Sequence, residues 1–293
     1  MRIGLQIPRF TWPNGTGGIR STLAEIAGLA EDAGFYSIWV MDHFFQIPGV
    51  GEVDEPMLEG YTALSFLAAA TSRVKLGTLV SGVIYRPPAL LLKQATTLDV
   101  LSGGRSYLGV GAGWFEREAL GLGLGFPSLK GRFERLEEVL QLARQVWSGD
   151  TTPYEGRHYH WPEPVWHPQP LSRPRPPILI GGMGEQRTLM LVAKYADACN
   201  LFARSGTEVL GHKLDVLQGH CRRLGRDYSS IEKTVLGTVV LGSRAMTSVD
   251  VISQCRELAG LGIDQAIFNM PNVHTLDPLR QFGDEIIPDV AGF

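Results

Sequence analysis

Short apolar runs alternate along this chain with longer stretches whose apolar positions recur every three or four residues. That alternation is the pattern of strands buried on both faces and separated by amphipathic helices. Strands are expected at residues 3–7, 37–41, 74–80, 106–110, 178–180, 198–202, 234–241 and 265–269. Helices are expected between them, beginning with 22–33, where Glu25 completes a capping box on Thr22 and Gly34 marks the stop. The next are 61–71, one entered through Pro87 and Pro88 and closed by Gly103, then 131–147, 186–195, 207–224 and 248–259.

Eight strand-plus-helix units in 293 residues predict a closed (β/α)8 TIM barrel, treated as one domain over 1–293, with an open doubly wound sheet as the other α/β arrangement. One stretch breaks the rhythm. Residues 149–177, "GDTTPYEGRHYHWPEPVWHPQPLSRPRPP", are rich in proline and aromatic residues and carry no helical period. They are expected to form a hairpin and an extended insertion between strand 4 and strand 5, lying over the barrel mouth or its side.

Composition narrows the function more than the fold. With 27 basic and 30 acidic residues the net charge is -3, and no Lys/Arg run is long enough to track a phosphate backbone, so nucleic acid is not an expected partner. Every long apolar run is broken by Gly, Pro or charge, so no membrane partner is expected, and the amino terminus lacks the apolar core of an export signal. Cys199, Cys221 and Cys255 have no CxxC spacing and suit reduced packing thiols in a cytoplasmic protein. His158, His160 and His167 lack Cys or carboxylate partners at ligand spacing, and no metal site is assigned. GxSxG, HExxH and Walker patterns are absent.

In a barrel of this kind the chemistry lies just beyond the strand ends. The second strand, "YSIWVMDHFF", delivers Asp42 and His43 without an intervening turn, and an acid beside an imidazole is costly to bury unpartnered. The third strand continues apolar through Leu79 and Val80, a wall for a flat ligand or plain barrel core. In "GVGAGW" the alternating Gly109, Gly111 and Gly113 let backbone approach a ligand closely, but the spacing is not a dinucleotide fingerprint. Gly181, Gly182, Met183 and Gly184 stand between strand 5 and its helix, with Arg187 one turn in. That is either an anion cradle of free amides or a tight βα turn.

Together, "MRIGLQIP", "IWVMDHFF", "VKLGTLVSGVIYRPPALLLKQATTLDVLSGGRSYLGVGAGW", "FERLEEVLQLARQVW" and "PPILIGGMGEQRTLMLVAKYADACNLF" closely resemble the luciferase-like monooxygenase superfamily over nearly the whole chain. The nearest branch is similar to the oxidoreductases that use the deazaflavin coenzyme F420. The resemblance implies a cofactor across the barrel mouth, its ring over Leu79 and Val80, its phosphate on Gly181–Gly184, and Ala112 and Gly113 lining the cleft. It also implies a non-prolyl cis peptide at Leu79–Val80 and a homodimer acting on a small-molecule substrate. His43 would transfer the coupled proton, as an imidazole that ordinarily titrates near about 6.5 can, and Asp42 would fix the ring. The family's sugar-phosphate dehydrogenases carry a tryptophan and a glutamate where this chain has Ile47 and Trp114, which argues against a sugar phosphate, and Glu116 receives no role. The alternatives are an FMN-dependent monooxygenase of the same family and a non-catalytic flavin- or deazaflavin-binding protein.

Overall fold

The computed structural model describes residues 1–242 and 245–293. Eight parallel strands close into a barrel: β1 (Arg2–Ile7), β2 (Ser37–Val40), β3 (Lys75–Thr78), β4 (Ser106–Gly111), β5 (Ile178–Gly181), β6 (Ala198–Phe202), β7 (Glu232–Thr238) and β8 (Gln265–Asn269). Each strand pairs with its sequence neighbours, β8 returns to β1 with Arg2 opposite Gln265, and β3 meets β4 at Leu76–Ser106 and Gly77–Tyr107. The helices α1 (Gly15–Asp32), α2 (Gly60–Ala70), α3 (Pro88–Leu101), α4 (Glu116–Gly121), α5 (Leu129–Trp147), α6 (Thr188–Tyr195), α7 (Thr207–Leu224) and α8 (Ser248–Gly260) follow the strands. This is the (β/α)8 barrel that the sequence pattern predicts.

The strand period sorts the core. Ile3, Leu5 and Ile7 of β1 join the layer between strands and helices, whereas Trp39, Tyr107, Leu179, Ala198 and Ile267 pack together in a separate cluster. Trp39 has no solvent exposure and meets Tyr107 edge-on at 5.4 Å. Burying a ring of ~150–250 Å² at about 25 cal/mol per Å² is worth roughly 4–6 kcal/mol of transfer free energy. Its indole N–H donates to Ser37 Oγ at 2.7 Å, so the ring enters the interior without an orphaned donor.

Beyond Thr78 strand β3 leaves regular geometry. The Leu79–Val80 peptide is cis, as the family likeness implies, and the chain rejoins the sheet at Ser81–Gly82 beside Val110–Gly111. This excursion sets the glycines of β4. A Cβ on Gly109 would fall 1.8 Å from Thr78 O, and one on Gly111 would fall 2.9 Å from Val80 Cγ2. One on Gly113 would meet Ile84 Cδ1 at 3.0 Å. The alternation therefore accommodates neighbouring protein atoms.

Other expectations need revision. α1 begins at Gly15, so Thr22 and Glu25 lie inside it and form no capping box. The reason is its buried stripe of Ile19, Leu23, Ile26, Ala27 and Ala30, which starts a turn before Thr22. β7 ends at Thr238 rather than residue 241. α4 and the helical turns between Asp277 and Val290 were not foreseen. The latter bury Phe282 against Phe35 and Phe268, at centroid distances of 5.3 and 5.9 Å.

Residues 149–177 form the expected hairpin, with Tyr154–Glu155 antiparallel to His160–Trp161, and then descend the barrel's flank. Buried Glu138 of α5 accepts the amides of Arg157, His158 and Tyr159 at 3.0–3.1 Å. Fully buried Asp99 of α3 accepts those of Leu171 and Ser172 at 2.7 and 2.9 Å. Thr96 Oγ1 accepts both Trp147 and Trp166 indoles at 2.9 and 3.0 Å.

Among the described residues no helix is long and apolar enough to cross a membrane. Cys199, Cys221 and Cys255 are buried and unpaired, and burial pushes the Cys199 and Cys255 thiols up to about 12, leaving them un-ionised at neutral pH.

The closeness of β4 to Thr78 carries a quantitative expectation. Gly109→Ala should cost about 3 kcal/mol, because its new methyl meets main chain that has no rotamer to yield. Urea unfolding measures this, and a midpoint equal to wild type would contradict the packing described.

Candidate active site

Asp42 and His43 follow β2 and face different surroundings, as alternation along an extended chain requires. Asp42 is 1% exposed and forms a two-pronged ion pair with Arg86, Oδ1 to Nη2 at 2.8 Å and Oδ2 to Nη1 at 2.5 Å. Arg86 also bonds Glu59, which caps α2 by accepting the amides of Tyr61 and Thr62 at 3.2 and 2.7 Å. Burial lowers the Arg86 pKa, but the bonds from Asp42 and Glu59 outweigh it and hold the guanidinium above its ordinary value. Asp42 thus ties the rim to the helix layer. It does not orient His43, and that expectation is corrected.

The group that orients His43 is Glu118, on α4. Its Oε2 lies 3.0 Å from His43 Nδ1, and its Oε1 accepts the amides of Phe44 and Phe45 at 2.5 and 2.8 Å. One carboxylate therefore fixes both the imidazole and the backbone that follows it. Tyr85 completes the cluster, with its hydroxyl 3.3 Å from His43 Nδ1. Burial raises the Glu118 pKa, but hydrogen bonds from His43, Tyr85 and the Phe45 amide prevail and hold the carboxyl below the usual range. Burial, then the Glu118 bond and charge, push the Tyr85 phenol upward, so it remains a neutral hydroxyl.

An ionised carboxylate only accepts, so Nδ1 carries the hydrogen, and Nε2 is the ring nitrogen left free to meet a ligand. Among the described residues Nε2 has no hydrogen-bond partner. The ring is enclosed edge-on by Tyr85, Trp114 and Phe115 at centroid distances of 6.0, 5.7 and 5.9 Å. Trp114 is 57% exposed, an uncovered indole beside the His43 ring.

The remaining sequence candidates gather around β3–β5. Val80 is seated between two glycines, since a Cβ on Gly111 or Gly181 would come within 2.9 or 3.0 Å of its methyls. Leu79 O accepts Gln6 Nε2 at 3.1 Å. Ala112 and Gly113 are partly exposed on the run that leads to Trp114. Gly182 adopts φ +121°, which a side chain would strain, and its amide is already committed to Asn200 O at 3.1 Å. The amides of Met183, Gly184, Glu185, Gln186 and Arg187 donate to no protein group among the described residues, and they lie at the start of α6. Free amides at a helix start suit an anion. No three His, Cys, Asp or Glu side chains converge as metal ligands among the described residues.

The luciferase-like monooxygenase family model matches residues 1–267. The chain belongs to that family. An F420-dependent glucose-6-phosphate dehydrogenase of Kineococcus radiotolerans is 35% identical over 179 residues, 59% of this chain and 49% of the relative. The matched stretch thus spans about half the length of that family member. Two solved structures share the fold across the chain. The coenzyme F420 dependent tetrahydromethanopterin reductase of Methanopyrus kandleri superposes with a TM-score of 0.80 at 18% identity, covering 98% of this chain and 99% of that one. The EDTA monooxygenase of Chelativorans sp. BNC1 gives 0.84 at 14%, covering 100% and 93%.

The Glu118 pKa has a consequence for stability. A carboxyl depressed by folding contributes stability that is complete above its unfolded value, about 4.3, and is lost as pH falls through its folded value. Glu118→Gln should lower stability by about 1.5–3 kcal/mol at neutral pH, with the gap to wild type closing below about pH 4. Thermal melts of both proteins across that range measure it, and a gap that persisted at acid pH would refute the charged role.

Proposed function

We propose that this chain is an oxidoreductase that exchanges a hydride between coenzyme F420 and a small organic substrate, with His43 moving the coupled proton. The observation that carries the reading is the buried Glu118–His43 pair, which leaves Nε2 unpartnered beneath the exposed Trp114. The curated relative named as F420-dependent supports the choice of cofactor. The protein would act as a single domain in the cytoplasm and as a homodimer, as the family likeness implies.

The mouth fits such a cofactor. The free amides from Met183 to Arg187 would hold its phosphate, sharing Met183 and Gly184 with the Gly181–Gly184 assignment made from sequence and extending toward α6. Leu79 and Val80 would support the ring, with Ala112, Gly113 and Trp114 at its edge. F420, when bound, supplies a ring carbon that gives or takes two electrons as hydride. His43 Nε2 accepts a proton from a substrate hydroxyl during oxidation and returns it in the reverse direction. Glu118, held ionised, stabilises the imidazolium that forms without taking its proton. Tyr85 and Phe115 keep bulk water from the ring's buried side.

A second reading, an FMN-dependent monooxygenase, is favoured by the family description and by the fold shared with the EDTA monooxygenase. FMN also bears a phosphate, so the free amides serve both. Fluorescence titration of the purified protein with F420 and with FMN separates them. F420 should bind at least about tenfold more tightly, a difference of ~1.4 kcal/mol. Tighter FMN binding would sink the proposal.

His43→Asn should leave F420 affinity within about threefold while slowing deazaflavin reduction by a panel of alcohols roughly 10²- to 10⁴-fold. Wild-type turnover in that variant would remove His43 from proton transfer.

A further inference from the structure

A cavity of about 580 Å³ lies outside the proton-transfer cluster, between the segment after β3, the loop entering α5 and the 154–161 hairpin. Val83, Ile84, Pro87, Leu124, Tyr159 and Trp161 give it an apolar and aromatic wall. Among the described residues no Asp or Glu lines it, whereas Arg135, His158 and His160 do. Its inner wall includes Tyr85 and Arg86, whose polar ends reach His43 and Asp42 on the other side.

Arg135 is the anomaly. It is half-buried on α5, and among the described residues its guanidinium makes no hydrogen bond or ion pair, its Nε being buried without a partner. It rests only over the Tyr159 ring, 5.6 Å from the centroid. The carboxylates beside it in sequence are spent elsewhere. Glu134 bonds Arg157 and His158, both at 2.9 Å, and Glu138 accepts the hairpin amides. The charges nearest in the lining are also occupied, because His158 and His160 bond Glu134 and Glu155 and Arg86 is neutralised by Asp42 and Glu59. A partly desolvated guanidinium without an anion is unfavourable unless a ligand supplies one.

We infer that this cavity binds a small organic anion, a carboxylate or sulfonate on a planar apolar body, with Arg135 holding the charge and Tyr159 and Trp161 flanking the body. A guanidinium takes such groups through paired N–H donors, and the body replaces water on the aromatic wall. A size of several hundred Å³ suits one such ligand. The bound molecule would lie one side chain from His43, across Tyr85, without entering the cleft between β3 and β5. The inference is independent of which cofactor the barrel mouth takes.

Fluorescence titration with 8-anilinonaphthalene-1-sulfonate tests it on the purified protein. One saturable site is expected, weakened at least about tenfold in Arg135→Met, which keeps the stem over Tyr159 but loses the charge, and weakened less than that in Arg135→Lys, which keeps the charge but loses the paired donors. Because Arg135 bonds no other group among the described residues, both variants should fold, and far-UV circular dichroism checks this. Benzoate should displace the dye at concentrations at least about tenfold below those of benzyl alcohol, its uncharged counterpart. Equal affinity in folded Arg135→Met overturns the site, as does equal displacement by the alcohol. Displacement by F420 or FMN in place of benzoate would put the dye in the barrel mouth and also overturn it. Cofactor titration of Arg135→Met should match wild type, so failure here leaves the proposed oxidoreductase reading standing.

Discussion

A carboxylate with no solvent contact must collect donors from the protein, and Glu118 collects three of them from a single stretch of chain: His43 Nδ1 and the amides of Phe44 and Phe45. That requirement welds the loop after β2 to α4. Ionised Glu118 cannot be satisfied unless the chain turns immediately after His43, and the turn in turn fixes the ring. The rest of the rim is arranged around this knot. Tyr85 reaches it from the segment after β3, and the next residue, Arg86, carries the second buried ion pair to Asp42. Three loops from neighbouring strands are thereby coupled through two carboxylates.

The second constraint is steric. Once β3 leaves the barrel wall at Thr78, its carbonyl and the Val80 side chain occupy space that β4 and β5 would ordinarily fill with Cβ atoms. Gly109, Gly111 and Gly181 yield that space. The apolar lip and the glycine turns are therefore two sides of one packing solution, and the backbone of Gly181 stands next to the amides that remain free for an anion.

The barrel was legible because its signals are local and repeated: apolar runs broken by Gly34, Gly103 and the Pro87–Pro88 entry. α7 and β8 match their expected bounds, Thr207–Leu224 and Gln265–Asn269. Boundaries failed where tertiary burial overrode a local cue, as when Ile19 drew α1 past the Thr22–Glu25 box. His43 was legible as a polar residue at a strand end. Its partner was not, because Asp42 is adjacent in sequence but turned toward Arg86, while Glu118 arrives from 75 residues away on a six-residue helix with too few positions to show a period. Glu116, two residues earlier, drew attention for its place after the glycines. The clue available was that "FERE" offers two acids, only one of which a short helix can bury.

The strap that descends the flank from residue 154 is attached in an unusual way. Glu138 and Asp99 grip main-chain N–H groups, which every residue except proline supplies. These main-chain bonds do not depend on side-chain identity, although Arg157 and His158 add bonds to Glu134 and Ser172 Oγ adds one to Asp99 Oδ1 at 2.6 Å. Tyr159 and Leu171 can be exchanged without loosening the main-chain grip, provided the two carboxylates on the helices stay. The aromatic wall of the flank cavity at Tyr159 is in this sense interchangeable, mounted on a bracket that does not read the residue it holds.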